Sequence, residues 1–156
     1  MAQFAIKSRR SVILGAGAAI AAGFAIREYR LIPQGYAGGQ IDVAQAHEQA
    51  VSGDILLVDI RTPKEWQTTG IGEGAVPLDM RREDFAQALS DLVSGDHDQP
   101  IALICARGVR SARLSNRLTE AGFAQIIDVP EGMLGSAAGP GWVRTGLPVR
   151  NYEGNA

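Results

Sequence analysis

Apolar positions along this chain follow two alternating patterns. Ile55-Leu56-Leu57-Val58 and Ile101-Ala102-Leu103-Ile104 are continuous apolar runs, as expected of strands covered on both faces. Gln125–Val129 supplies a third, shorter strand. Between these runs the spacing turns helical. Val43, Ala46 and Ala50 share one side of a helix over 41–51, with Asp42 as its candidate cap. Over 79–93, Phe85, Leu89, Leu92 and Val93 point inward while Arg81, Arg82, Glu83 and Asp84 point outward. Leu114, Leu118 and Ala121 recur at i, i+4 and i+7, with Ser111 a candidate cap and Gly122 a stop. Strand and helix in alternation predict an α/β fold, a central parallel sheet with helices on both faces.

The ends of the chain break this pattern. Lys7, Arg9 and Arg10 precede an uncharged, Ala- and Gly-rich run over 11–26. A basic start before an apolar segment reads as an export signal, and the paired arginines resemble a bacterial twin-arginine signal. The expectation for residues 1–26 is therefore export to the periplasm. An uncleaved inner-membrane anchor through residues 12–26 is the alternative, although the run is shorter than the ~20 residues that span a bilayer. A helix packed on the domain fits less well, because no polar face interrupts the run. Residues 27–40, with Pro and Gly breaks and no period, read as a linker, 41–150 as the domain, and 151–156 as a polar tail.

Composition narrows the function classes. At 156 residues the chain is of one-domain size, 46% hydrophobic and 21% charged, which is ordinary for a globular protein. Its net charge of −2 hides an asymmetry: residues 1–25 hold three bases and no acid, leaving 12 bases and 17 acids, or −5, for the remainder. Such a domain is a poor generic binder of nucleic acid. A single cysteine excludes an intramolecular disulfide framework and a four-cysteine zinc site. His47 lies on a surface helix without a partner ligand, and His97 sits in the polar loop Asp96-His97-Asp98. Neither has the spacing of a metal site, so no metal or other cofactor is expected.

That lone cysteine ends the apolar run at Ile104. Cys105 therefore stands at the C-terminal tip of a strand, on a short loop that feeds a helix. Backbone N–H groups of such a loop, and the helix dipole, stabilise a thiolate. Arg107 and Arg110 add positive charge, with Arg113 and Arg117 beyond them, so a small anionic substrate centred on sulfur or phosphorus is attracted. An inert buried thiol is the competing reading of a strand-end cysteine; the composition of the loop favours reactivity.

At these residues a family resemblance becomes plain. Cys105-Ala106-Arg107-Gly108-Val109-Arg110-Ser111 resembles the active-site loop of rhodanese-like sulfurtransferases. Leu57-Val58-Asp59-Ile60-Arg61, followed by Pro63, Glu65 and Trp66, is similar to the family's second-strand motif. Glu120-Ala-Gly122-Phe123, Asp128-Val129-Pro130-Glu131-Gly132 and Gly146-Leu147-Pro148-Val149 resemble its later stretches. The resemblance implies a rhodanese-like fold and transfer of sulfane sulfur from a donor such as thiosulfate, through a cysteine persulfide, to cyanide or a thiol. A thiol on a partner protein would serve equally as acceptor. Cys105 would be the nucleophile, Ala106, Arg107, Gly108, Val109 and Arg110 would hold the anionic sulfur, and Ser111, Asp59 and Arg61 would brace the site. Three departures stand out. The stretch Thr68–Leu78 lacks the histidine common in the family, and Met133 stands where a second glycine is frequent. Gly135–Trp142 is longer and richer in glycine than usual, and reads either as a rim of the cysteine pocket or as a connector with Trp142 in the core.

Two other classes share these features. A cysteine-dependent phosphatase or arsenate reductase uses the same fold and a Cys–Arg loop, but usually with five residues between Cys and Arg. Here there are four, Ala106 to Val109. A non-catalytic binding module of the same family is the second alternative.

Overall fold

A computed structural model describes residues 35–154. Residues 1–34, which carry the expected export signal and most of the expected linker, lie outside the described residues. In chain order the elements are β1 (Gly39–Gln40), α1 (Val43–Ser52), β2 (Leu56–Asp59), α2 (Pro63–Thr69), β3 (Ile71–Gly72), β4 (Val76–Pro77), α3 (Phe85–Leu92), β5 (Ile101–Ile104), α4 (Val109–Glu120), β6 (Ile126–Asp128), α5 (Gly141–Thr145) and β7 (Val149–Arg150). Among the described residues, no helix is long and apolar enough to cross a membrane.

Five strands form a wholly parallel sheet in the order β1-β6-β5-β2-β4. The strand that leads to Cys105 is thus central, with β2 and β6 as its neighbours. A small antiparallel pair, β3 with β7, lies apart from this sheet. Period-two alternation divides the strand side chains between two cores. Val58, Ile60, Ile101 and Leu103 pack with Phe85 and Leu89 of α3 and Leu114 and Leu118 of α4. Leu57, Ala102 and Ile104 pack on the other face with Val43 and Ala46 of α1, Trp66 of α2 and Trp142 of α5. Burial on both faces is why β2 and β5 are written as unbroken apolar runs.

The α/β architecture, with helices on both faces, is as the sequence predicts, and so is α1. Asp42 caps it, accepting from the Gln45 N–H at 2.8 Å while the Gln45 side chain accepts from the Asp42 N–H. Several details differ. Gly39–Gln40, read as linker, pairs with Ile127 and Asp128, and the Tyr36 hydroxyl donates to the Ile126 carbonyl at 2.6 Å. A two-residue strand containing glycine carries no apolar period, so nothing in the pattern reveals it. The helix expected over 79–93 begins only at Phe85. Before it, the Arg81 N–H donates to Asp79 Oδ1 at 3.0 Å, a local turn that competes with helical hydrogen bonding, and Arg81 and Arg82 pair with Asp79 and Asp84. Leu92, expected inside, is exposed, whereas Phe85, Leu89 and Val93 are buried. Tyr152, in the expected loose tail, packs against Trp66 with ring centroids 5.1 Å apart.

Trp142 is fully buried, and its Nε1–H donates to the Pro148 carbonyl at 2.9 Å. It also takes an edge-on contact from His47, whose Nε2 lies 2.8 Å from Glu73. Replacement of Trp142 by Ala removes the largest fully buried side chain and is expected to cost about 3–5 kcal/mol in urea unfolding. A loss below about 1 kcal/mol would contradict this packing.

Candidate active site

The site grows from the end of β5. Its four residues are buried, and so is Cys105, which belongs to the core shared with α3 and α4. The chain then turns sharply at Gly108, whose φ of +78° is left-handed. A Cβ there would meet the Pro130 carbonyl oxygen at 2.1 Å, so both the conformation and the close approach require glycine. α4 starts at Val109 with Gly108 as its cap. Ser111, expected to cap the helix, lies inside the first turn instead. Its hydroxyl donates to the Gly108 carbonyl at 3.2 Å.

The backbone N–H groups between the strand and the helix have a consequence for chemistry. From Ala106 through Ser111, six in succession, none donates to an acceptor among the described residues. Three of them belong to the first turn of a helix, where no intrahelical partner exists. Ala112 is the first whose N–H is used, donating to the Gly108 carbonyl at 3.2 Å.

The turn after β6 pins this loop from the far side. Met133 N–H donates to the Cys105 carbonyl at 2.8 Å, and Leu134 N–H to that of Ala106 at 2.9 Å. Gly132, at φ +67°, lies so close that a Cβ would stand 2.7 Å from Ala106 and Arg107 backbone atoms. The buried Glu131 in turn accepts from the N–H groups of Gly141, at 2.9 Å, and Val43, at 3.4 Å. Met133, where the family often has glycine, is wholly buried in the second core.

Charges at the site are more nearly balanced than the sequence suggests. Arg110 forms a two-pronged pair with Glu65, one arm at 2.9 Å. Burial alone would raise the Glu65 carboxyl, but hydrogen bonds from Arg110 and Thr62 outweigh it and hold the group at about 2. Arg110 itself is raised, first by its bond to Glu65 and further by the Cys105 sulfur nearby. Arg107 is exposed and reaches the Gly135 carbonyl at 3.4 Å. Arg61, by contrast, is buried. It closes on Asp59 and spends its other donors on Thr69 Oγ1 and the carbonyls of Glu65 and Gly70. A cavity of about 240 Å³, lined by Arg61, Thr62, Lys64, Glu65 and Leu134 among others, opens beside this pair.

Sequence reasoning missed Glu65 as a site residue. A local signal exists, because Thr62-Pro63-Lys64-Glu65 is a capping box, with the Thr62 N–H donating to Glu65 Oε2 at 3.1 Å. Its second use, across 45 positions to Arg110, has no local signal. The two histidines stand away from this chemistry. His97 stacks on Phe123 at 4.2 Å with its Nε2 3.0 Å from Ser90 Oγ. No group of potential metal ligands occurs among the described residues. In the Gly135–Trp142 stretch Trp142 enters the core, as the connector reading expects, while Ser136–Ala138 border a cavity with Gly108 and Asp128 that Cys105 does not line.

A parallel sheet with a cysteine loop at the tip of its central strand defines the class, and sequence comparison agrees. The model of the family described as rhodanese-like domain matches residues 42–138, and the chain belongs to that family. It is 30% identical over 110 residues to the thiosulfate sulfurtransferase GlpE of Glaesserella parasuis, covering 70% of this chain and 91% of that protein. It is 33% identical over 113 residues to a tRNA uridine(34) hydroxylase of Chlamydia abortus, covering 67% of this chain but only 33% of that larger protein. Among solved structures it resembles Rv0390 from M. tuberculosis, with a TM-score of 0.57 and 28% identity over 76% of this chain and all of that one.

The Glu65–Arg110 pair leaves a pH signature. The carboxyl sits near 2 in the folded protein against an ordinary 4.5. Its stabilising contribution is therefore complete above 4.5 and is lost as pH falls towards 2. Thermal unfolding of Glu65→Gln should show a deficit relative to the unchanged protein at neutral pH that shrinks through that window. A deficit independent of pH would mean that the pair does not hold the carboxyl as described.

Proposed function

We propose that the protein is a sulfurtransferase that carries sulfane sulfur on Cys105. The run of unpaired amides from Ala106 to Ser111 carries this reading, since a ring of peptide N–H groups at a helix start complements an anion. The Cys105 thiolate attacks the outer sulfur of a donor such as thiosulfate. The donor's S–S bond breaks, sulfite departs with the electron pair, and a cysteine persulfide remains. The acceptor, cyanide or a thiolate, then attacks the outer sulfur of the persulfide. That S–S bond breaks in turn, releasing the sulfurated acceptor and restoring the thiolate.

Roles for the surrounding residues follow from their partners. The amides of Ala106, Arg107, Gly108, Val109 and Arg110 hold the charge of the thiolate and of the persulfide. Arg107, exposed at the rim, draws the donor anion in. Arg110 has its charge largely offset by Glu65, so it orients the loop more than it attracts the donor. Asp59 and Arg61 tie the end of β2 to the end of α2 and perform no chemistry themselves. The name and coverage of the Glaesserella parasuis relative support thiosulfate as the first donor to try. The basic and apolar start of the chain supports an exported protein, with small sulfur compounds or a partner protein's thiol as acceptor.

Thiocyanate formation from thiosulfate and cyanide tests the reading. Cys105→Ser should abolish turnover without loss of the far-ultraviolet circular dichroism of the fold. Arg107→Ala should raise KM for thiosulfate several-fold, by about 1 kcal/mol of lost attraction, with little change in kcat. Persisting turnover in folded Cys105→Ser would rule the mechanism out.

A further inference from the structure

Directly behind the cysteine loop lies a second group of polar residues that the transfer chemistry does not use. Asp128, at the end of β6, is buried, and its Oδ1 has no hydrogen-bond partner among the described residues. Ser111 and Ser115 of α4 are fully buried, and the Ser115 hydroxyl is likewise unpartnered. A cavity of about 270 Å³ is bordered by Asp128 together with Gly108, Ala112, Pro130 and Ser136. Burial raises the Asp128 carboxyl to about 6, and the neighbouring Ser111 side chain and Val129 amide offset it only in part.

The Ser111 hydroxyl has a single proton to donate. In the structure it goes to the Gly108 carbonyl, the cap of the helix that presents the unpaired amides. Once ionised, Asp128 is a stronger acceptor for that proton than a carbonyl. Among the described residues, burial, the Ser111 side chain and the Val129 amide set the state of Asp128. From the β1 side Gln40 and Tyr36 line the same cavity, and the Tyr36 hydroxyl is committed to the Ile126 carbonyl. On the β5 side Leu103 is in register with Asp128. α4 contributes Ser111, Ala112 and Ser115, and Glu131 is turned to the amides of Val43 and Gly141.

We propose that Asp128 is a positioning residue for the cysteine loop, competing through its carboxylate with the Gly108 carbonyl for the Ser111 hydroxyl proton and so loosening the loop when ionised. The proposal rests on the amide ring assigned above as the holder of the anionic sulfur. It concerns the reactivity of the thiol and not the identity of any donor, so it can fail or hold apart from sulfur transfer.

The test is the rate of Cys105 alkylation by iodoacetamide in the full-length protein between about pH 5 and about pH 8. Asp128→Asn offers Ser111 an amide donor and a weaker acceptor, so the hydroxyl stays on Gly108 throughout. The ratio of its rate to that of the unchanged protein should be near one at the acid end and rise to about threefold at the alkaline end. Taking a ratio removes the thiol's own ionisation if both proteins share it. In a Ser111→Ala background the same substitution should give a flat ratio, because no proton is left to contest. A ratio flat with pH in the Ser111-containing protein, or a rise that survives in Ser111→Ala, overturns the proposal. Should Asp128→Asn not fold, the backbone amide NMR signals of Gly108 and Ala112 in the unchanged protein serve instead. They should titrate with a midpoint near 6, and should not do so in Ser111→Ala. Signals that do not move, or that move equally in Ser111→Ala, overturn it as well.

Discussion

A peptide N–H that finds neither an acceptor nor water costs roughly 1–3 kcal/mol, and this fold leaves six in a row, Ala106 to Ser111, with no acceptor among the described residues. The rest of the site can be read as the means of holding them in place. β5 delivers the chain to the middle of a parallel sheet, where open α/β sheets leave a crevice at their C-terminal ends. Gly108 turns it into a helix, and α4 begins with amides that have no intrahelical partner. Such amides are satisfied only by an anion or solvent, and the residue that precedes them is a cysteine.

Holding the ring takes two other parts of the chain. The turn at 130–134 accepts no side chain between itself and the loop: Pro130 abuts Gly108, and Gly132 abuts Ala106 and Arg107. Glu131 fastens that turn to the starts of α1 and α5. Two carboxyls near the ring are driven in opposite directions. Glu65, bonded to Arg110 and Thr62, is held ionised far into the acid range, whereas Asp128, buried without a cation, is raised to about 6. One supplies a fixed charge that tempers Arg110; the other can change its charge near neutrality.

Much of this is legible in the sequence, for identifiable reasons. Strands buried on both faces announce themselves as apolar runs, so β2 and β5 are plain, and the change of period after Cys105 places the loop between strand and helix. Asp42 shows as a cap because Gln45 follows at the right spacing. What stays hidden is short or doubly used. β1 is two residues with no period. α2 is seven residues, and although Thr62-Pro63-Lys64-Glu65 announces its start, only the fold brings Glu65 to Arg110. Ser111 looks like a cap because of its residue type and position, yet the left-handed Gly108 takes that place and Ser111 donates to the Gly108 carbonyl from inside the first turn.

The central claim is that Cys105, within its ring of amides, holds a transferable sulfur as a persulfide. Intact-protein mass after incubation with thiosulfate, measured with and without a thiol reductant, tests it most directly. A gain of one sulfur atom on Cys105 that the reductant removes is the expected result. An unchanged mass with thiosulfate and with other sulfane donors, in protein whose Cys105 still alkylates, would contradict it and would leave the ring of amides to a different anion.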